Sequence, residues 1–242
     1  MYFLFSGEGE TDLGTGLQKG LCEGDAYLYG PLTLLTDRIV SEKGKYSLME
    51  SQWFGFVSKA DLKRRFDNLK PLKKFRFPRG DIKHEQGTKY FRNNARALAA
   101  IAQEVAQEKN DEVVAVLFRD SDRKNSSEQA DWEKKWDSML NGFQDERFNR
   151  GVPMIPKPVS EAWILCAIYR KENKDKNCGN LENQKRGSDP NRHASKIELE
   201  NTLGEQPTRE QLNHKIQTGK IDTSCINLDS FNRFKQQLEK VI

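Results

Sequence analysis

The feature that most limits what this chain can fold into is Val113-Val-Ala-Val-Leu-Phe118, six consecutive apolar residues of which three are β-branched. A strand with one wet face alternates apolar and polar residues. An unbroken run this short reads instead as a strand covered on both faces, the usual situation inside a parallel sheet. Covering both faces takes helices, and the sequence supplies them. Leu98, Ile101, Ala102 and Val105 recur at helical spacing within residues 93 to 109. Trp132, Trp136, Met139 and Leu140 do so after the apolar run, and Trp163, Ile164, Leu165, Ala167 and Ile168 follow Ser160, a residue type suited to cap a helix start. Phe231, Phe234, Leu238 and Val241 line one face of a final helix. Tyr2 to Ser6 reads as a second buried strand ending in an acidic, glycine-rich turn, and Tyr27 to Thr36 as a further strand region broken at Gly30-Pro31. Buried strands alternating with helices predict an α/β domain with a largely parallel sheet, and 242 residues suit one domain.

Other readings fall away quickly. The longest apolar run, Ala162 to Tyr169, is far short of the roughly 20 residues of a membrane helix. Met1-Tyr-Phe-Leu-Phe-Ser has no basic leader, which argues against a secretory signal and for a soluble cytoplasmic protein. Cys22, Cys166, Cys178 and Cys225 contain no CxxC pair, and with His84, His193 and His214 as the histidines, a zinc site of standard spacing is not available. Such thiols suit a reducing compartment. No GxxxxGK[ST] motif occurs, so the chain carries no Walker A nucleotide site. Lys171 to Ser195, rich in Asn, Lys, Gly and Asp, reads as a mobile loop or lid.

The chemistry-bearing residues gather where α/β sheets keep their sites, at the carboxyl ends of strands. Glu8 and Asp12 follow the first strand; Asp120 and Asp122 follow the Val113–Phe118 strand. Alternate residues of an extended chain face one side, so Asp120 and Asp122 would project together. Paired carboxylates repel unless a cation compensates them, and Mg²⁺ or Mn²⁺, hard ions that prefer oxygen, are the natural partners. Glu161, at a helix start, would complete a second metal position. Two ions about 4 Å apart stabilise both the attacking and the leaving oxygen in phosphodiester hydrolysis. A DxD at a strand end also caps helices and solvates turns, and a glutamate at a helix start is favoured by the helix dipole alone.

Glu8-Gly-x-Thr-Asp12, Asp120-x-Asp122 and Ser160-Glu-Ala-Trp-Ile-Leu165 resemble the motifs of Toprim domains. The specific resemblance is to small stand-alone bacterial Toprim proteins related to the nuclease half of overcoming-lysogenization-defect (OLD) proteins, and Ile221 to Phe231 is similar to their C-terminal end. The resemblance implies a four-stranded parallel sheet flanked by helices, in a single domain over 1–242. It places an insertion at about 25–92 and a helical extension at about 196–242. It also implies a metal-dependent nuclease acting on DNA or RNA, the effector of an anti-phage defence system with its ABC-type ATPase on a separate chain. By that resemblance Glu8, Asp12, Asp120, Asp122 and Glu161 are metal ligands. Glu8 and Asp120 are catalytic, with Lys196 as the assisting lysine and Lys157 its rival. The competing reading is a non-catalytic Toprim-like module that binds nucleic acid or a partner, and a homo-oligomer is compatible with either.

A total charge of +4 hides an uneven distribution. Lys63 to Arg92 carries eleven cations against three acids, a net +8, and the rest of the chain is mildly acidic. Arg64, Arg65, Lys73, Lys74, Arg76 and Arg79 are interleaved with Phe66, Phe75, Phe77, Tyr90 and Phe91, a mixture suited to holding phosphates while stacking on bases. The same composition also suits a solvated face whose aromatics belong to the core.

Overall fold

A computed structural model of the chain describes residues 1–44, 46–69, 82–121, 129–183 and 194–242. It begins with β1 (Tyr2–Gly7), β2 (Gly14–Gly16), β3 (Cys22–Glu23), β4 (Tyr27–Tyr29), α1 (Pro31–Gly44) and α2 (Leu48–Ser51). Then come β5 (Phe54–Ser58), α3 (Lys59–Asp67), α4 (Ile82–Lys109), β6 (Val113–Phe118), α5 (Gln129–Asp145) and β7 (Gly151–Met154). The remainder is helical: α6 (Glu161–Glu172), α7 (Gly179–Asn183), α8 (Ala194–Leu203), α9 (Arg209–Gln217) and α10 (Asp229–Val241).

The main sheet has the order β3-β5-β1-β6-β7. β5, β1, β6 and β7 are parallel, and the two-residue β3 closes one edge antiparallel to β5. The sheet is therefore mixed and five-stranded rather than wholly parallel and four-stranded. β5 lies within the segment 25–92 expected as an insertion, yet it pairs with β1 along its whole length. The strand region expected over Tyr27 to Thr36 stops at Tyr29. Pro31 lacks the N–H a strand needs but fits the first turn of a helix, and α1 starts there.

Period-two alternation divides the core. Phe3 and Phe5 of β1, Phe54 and Phe56 of β5, and Val114, Val116 and Phe118 of β6 face a layer built from α1, α6, α9 and α10. Tyr2, Leu4, Val57, Ala115 and Leu117 face the opposite layer, in which Leu98 and Val105 of α4 and Trp132, Trp136 and Phe143 of α5 are buried. The final helix does as its spacing predicts, with Phe231, Phe234 and Leu238 wholly buried. Trp163 of α6 stacks on Phe234 at 5.7 Å, meets the edge of Phe231 at 5.1 Å, and donates its indole N–H to Ser230 Oγ at 2.8 Å. Cys166 and Cys178 are joined as a disulfide, tying the segment after α6 back to that helix, whereas free thiols were expected. Among the described residues no helix is long and apolar enough to cross a membrane.

The helices that follow β1 and β6 leave toward opposite faces: α1 packs in the first layer and α5 in the second. Adjacent parallel strands whose connections diverge in this way open a crevice at their carboxyl ends. That crevice holds the acidic loops.

Candidate functional site

The loop after β1 is pinned by main-chain bonds. The carbonyl of Asp12 accepts from Leu32 N at 3.0 Å, and that of Leu13 accepts from Gly30 N at 2.8 Å and from the hydroxyls of Tyr27 and Thr33. These contacts seat the loop on the first turn of α1, whose N–H groups have no partner within the helix. The fit is close. A Cβ on Gly30 would stand 2.3 Å from the Asp12 carbonyl oxygen.

Asp12 thereby meets the start of α6. Ser160 was expected to cap that helix, but its backbone is already helical (φ −61°, ψ −29°) and its hydroxyl makes no capping bond to a backbone N–H of the first turn, reaching within the helix only the Glu161 carboxylate at 3.4 Å. The hydroxyl instead donates to Asp12 Oδ1, while the Ser160 backbone N–H donates to Asp120 Oδ1 at 3.2 Å. Glu161 lies alongside, with Lys196 Nζ of α8 at 3.5 Å from its carboxylate. One serine thus gathers acids from three separate places in the chain, and one lysine faces them. The signal for Ser160 was in the sequence, but a serine before a helix is ordinarily read as a cap.

Burial pushes the carboxyl of Asp12 up, against the Ser160 hydrogen bond and the charge of Lys196, which pull it down. Glu161 is also raised, by burial first and then by the negative charge of Asp12. Burial alone would lower Lys196, yet Glu161, Asp120 and Asp12 together outweigh it and hold the ammonium charged to higher pH. Of the two candidate lysines, Lys196 pairs with Glu161 of this cluster, and Lys157 is buried in the segment leading to Ser160.

Glu8 goes elsewhere. Continuing the strand register by one residue sets Lys59 and Arg119 on either side of it, because β5 and β6 both pair with β1 in parallel. Both cations contact the same oxygen: Lys59 Nζ is 2.8 Å and Arg119 Nη1 2.7 Å from Glu8 Oε2. Alternation then separates neighbours on one strand end. Arg119 turns under Tyr90 of α4, with its guanidinium 4.8 Å from the ring centre, and Asp120 turns toward Ser160 of α6. Lys59 and Arg119 were not singled out in the sequence, since locating them requires β5 and its register; Tyr90 stood there only among the aromatics of the basic segment.

The remaining expectations divide. Arg64 pairs with Asp61 and Arg65 with Glu104, so these two cations have acidic neighbours on their own surface. Asp122, Lys73, Lys74, Arg76 and Arg79 lie outside the described residues, as does residue range 184–193 of the expected lid. Phe91 is buried and Phe66 packs against the core with Arg96 beside its ring, whereas Tyr90 remains 42% exposed.

The donor set of Asp12, Asp120 and Glu161 is all oxygen, of the type hard divalent ions prefer, and the Lys196 ammonium faces it. In chemistry and charge it fits such an ion. Among the described residues, however, no three Asp, Glu, His or Cys side chains converge closely enough to ligate one ion. Comparison of the chain with protein-family models, with curated proteins and with solved structures gives no match.

Proposed function

We propose that this chain is a Toprim-like, Mg²⁺- or Mn²⁺-dependent nuclease that cleaves phosphodiester bonds of DNA or RNA at the cluster Asp12, Asp120, Glu161 and Lys196. The observation that carries the reading is the arrangement around Ser160. Acids from two strand ends and one helix start meet at the sheet crevice, and they are buried enough to raise two of their pKa values. Asp12, Asp120 and Glu161 are the oxygen donors that would draw in around the ion, and the ion would supply Lewis acidity toward a phosphoryl oxygen. Ser160 fixes the rotamer of Asp12, and Lys196 Nζ keeps its proton to balance the acids and to face an anionic substrate. Glu8 and Asp122 are the further acids that the Toprim resemblance assigns to the same centre. An ABC-type ATPase partner, implied by the Toprim resemblance, would bring the ATP site, since these 242 residues contain no Walker A motif.

The test is a divalent-metal cleavage screen on labelled DNA and RNA, with EDTA as the control. Wild type should cleave only with Mg²⁺ or Mn²⁺, and Asp120→Asn and Lys196→Met should each lose at least a hundredfold in rate while keeping a native circular dichroism spectrum. Full activity in both variants would refute the assignment. A second reading, a non-catalytic nucleic-acid-binding module, is favoured by the engagement of Glu8 with Lys59 and Arg119 and by the lack of three converging acids among the described residues. It predicts binding that EDTA does not alter and no cleavage with any metal.

A further inference from the structure

The buried guanidinium of Arg119 is the least satisfied charged group in the described part of the molecule. Its side chain is 1% exposed; Nη1 makes an ion pair with Glu8 without hydrogen-bond geometry, and Nε and Nη2 have neither an ion-pair nor a hydrogen-bond partner among the described residues. Leaving such donors unpaired in the interior is costly, so a native arginine in this state calls for a ligand that the free protein lacks. Nε and Nη2 together form one edge of the planar fork, the edge that receives two oxygens of a carboxylate or phosphate side by side. Glu8 holds the opposite end and so fixes which edge is presented.

Two neighbours define the ligand. Lys59, about half exposed, sits one strand over at the same register level and adds a second positive charge, so two cations share one carboxylate and the row is net positive. Tyr90 covers the pair, its ring centre 4.8 Å from the Arg119 guanidinium and 5.5 Å from Lys59 Nζ, and being partly exposed it can turn outward without disturbing the core. The opening lies at the same carboxyl edge of the sheet as the acid cluster, one residue along the chain from Asp120.

We infer that the Nε–Nη2 edge of Arg119, with Lys59, is a subsite for a backbone phosphate of nucleic acid, closed by Tyr90 in the free protein. This rests on the nucleic-acid substrate of the proposed function and adds where the backbone is gripped: on the α4 side of the sheet edge, with the acid cluster on the α6 side. A strand held here crosses the crevice between β1 and β6. Phosphate recognition by this row needs no metal.

The experiment is fluorescence anisotropy of an end-labelled single-stranded oligonucleotide in EDTA, from 50 to 200 mM salt, with full-length wild type, Arg119→Lys and Lys59→Met. Arg119→Lys keeps the charge but loses the fork, and affinity should fall about tenfold with little change in salt dependence. Lys59→Met removes one phosphate contact from a half-exposed position, and the slope of log K against log salt should shrink by about 0.7, the share of one contact on a single strand. Thermal melts show whether each variant is folded. Wild-type affinity and slope in both folded variants would overturn the subsite and leave Arg119 a counter-ion of Glu8, as would a wild type that fails to bind. Metal-dependent cleavage alongside unaltered binding in the variants overturns the subsite alone. Weakened binding in the variants with no cleavage by wild type sustains the subsite and overturns the reaction.

Discussion

Replacing Glu161 by Gln should make the protein more stable at neutral pH while disabling the centre. Burial and the neighbouring charge of Asp12 raise the Glu161 carboxyl, and burial raises Asp12. A folded state that binds protons more tightly than the unfolded chain loses stability as pH rises through the interval between the two pKa values, and the full penalty is present above it. At pH 8, far above the ordinary carboxylate range, the unfolded chain has released both protons, so the fold is penalised either for retaining them or for ionising two neighbouring acids beside Lys196. Glu161→Gln removes one of the two charges and leaves Lys196 to balance Asp12 and Asp120. Relief of this kind at strained functional sites amounts to about 1 kcal/mol, which for a chain of 242 residues is a rise in Tm of about 2–4 °C. The gain should fade as pH falls toward the ordinary carboxylate range, where wild type has protonated both groups and no penalty is left. Calorimetric or circular-dichroism melts of wild type and variant at pH 8, 6 and 4 measure this. A variant that melts at or below wild type at pH 8 would refute the reasoning, since the ion pair with Lys196 would then outweigh desolvation and repulsion.

Two further outcomes test the support of the site. Trp163→Ala removes a fully buried indole with two aromatic neighbours and its hydrogen bond to Ser230, and should cost about 3–5 kcal/mol in urea unfolding. Gly30→Ala drives a methyl group against the Asp12 carbonyl, so a loss of about 1–3 kcal/mol in stability should accompany loss of cleavage, whereas unchanged melting and activity would show that the loop is not seated on α1 as described.

Much of the scaffold was legible in the chain because burial on both faces leaves no freedom in the pattern. Val113 to Phe118 could be little other than an interior strand, and the aromatic stripe of residues 231 to 241 little other than a packed helix. β5 was harder to read. Its Phe54-Gly-Phe-Val-Ser is short and lies in the stretch set aside as an insertion, and without it neither the place of β1 at the centre nor the row formed by Lys59, Glu8 and Arg119 can be derived. That Asp12 and Asp120 reach the crevice follows from strand ends, which sequence marks, whereas the place of Glu161 beside them follows from the packing of α6. The separation of Glu8 from them follows from side-chain alternation at the ends of paired strands, which requires the register. Ser160 differs from the expected cap for a local reason: its hydroxyl serves a residue 148 positions away instead of the backbone N–H groups of the helix it precedes.

The seating of α10 against Trp163 also has a consequence in time. A domain generally folds as a unit during synthesis, so its core waits for its last packed element. β1, β6 and the loops carrying Asp12 and Asp120 emerge early, but α6 keeps a bare indole until residues 229 to 241 have left the ribosome to cover it. Glu161 and Ser160 stand at the head of that helix. The arrangement at that head is therefore complete only once α10 has docked on the indole.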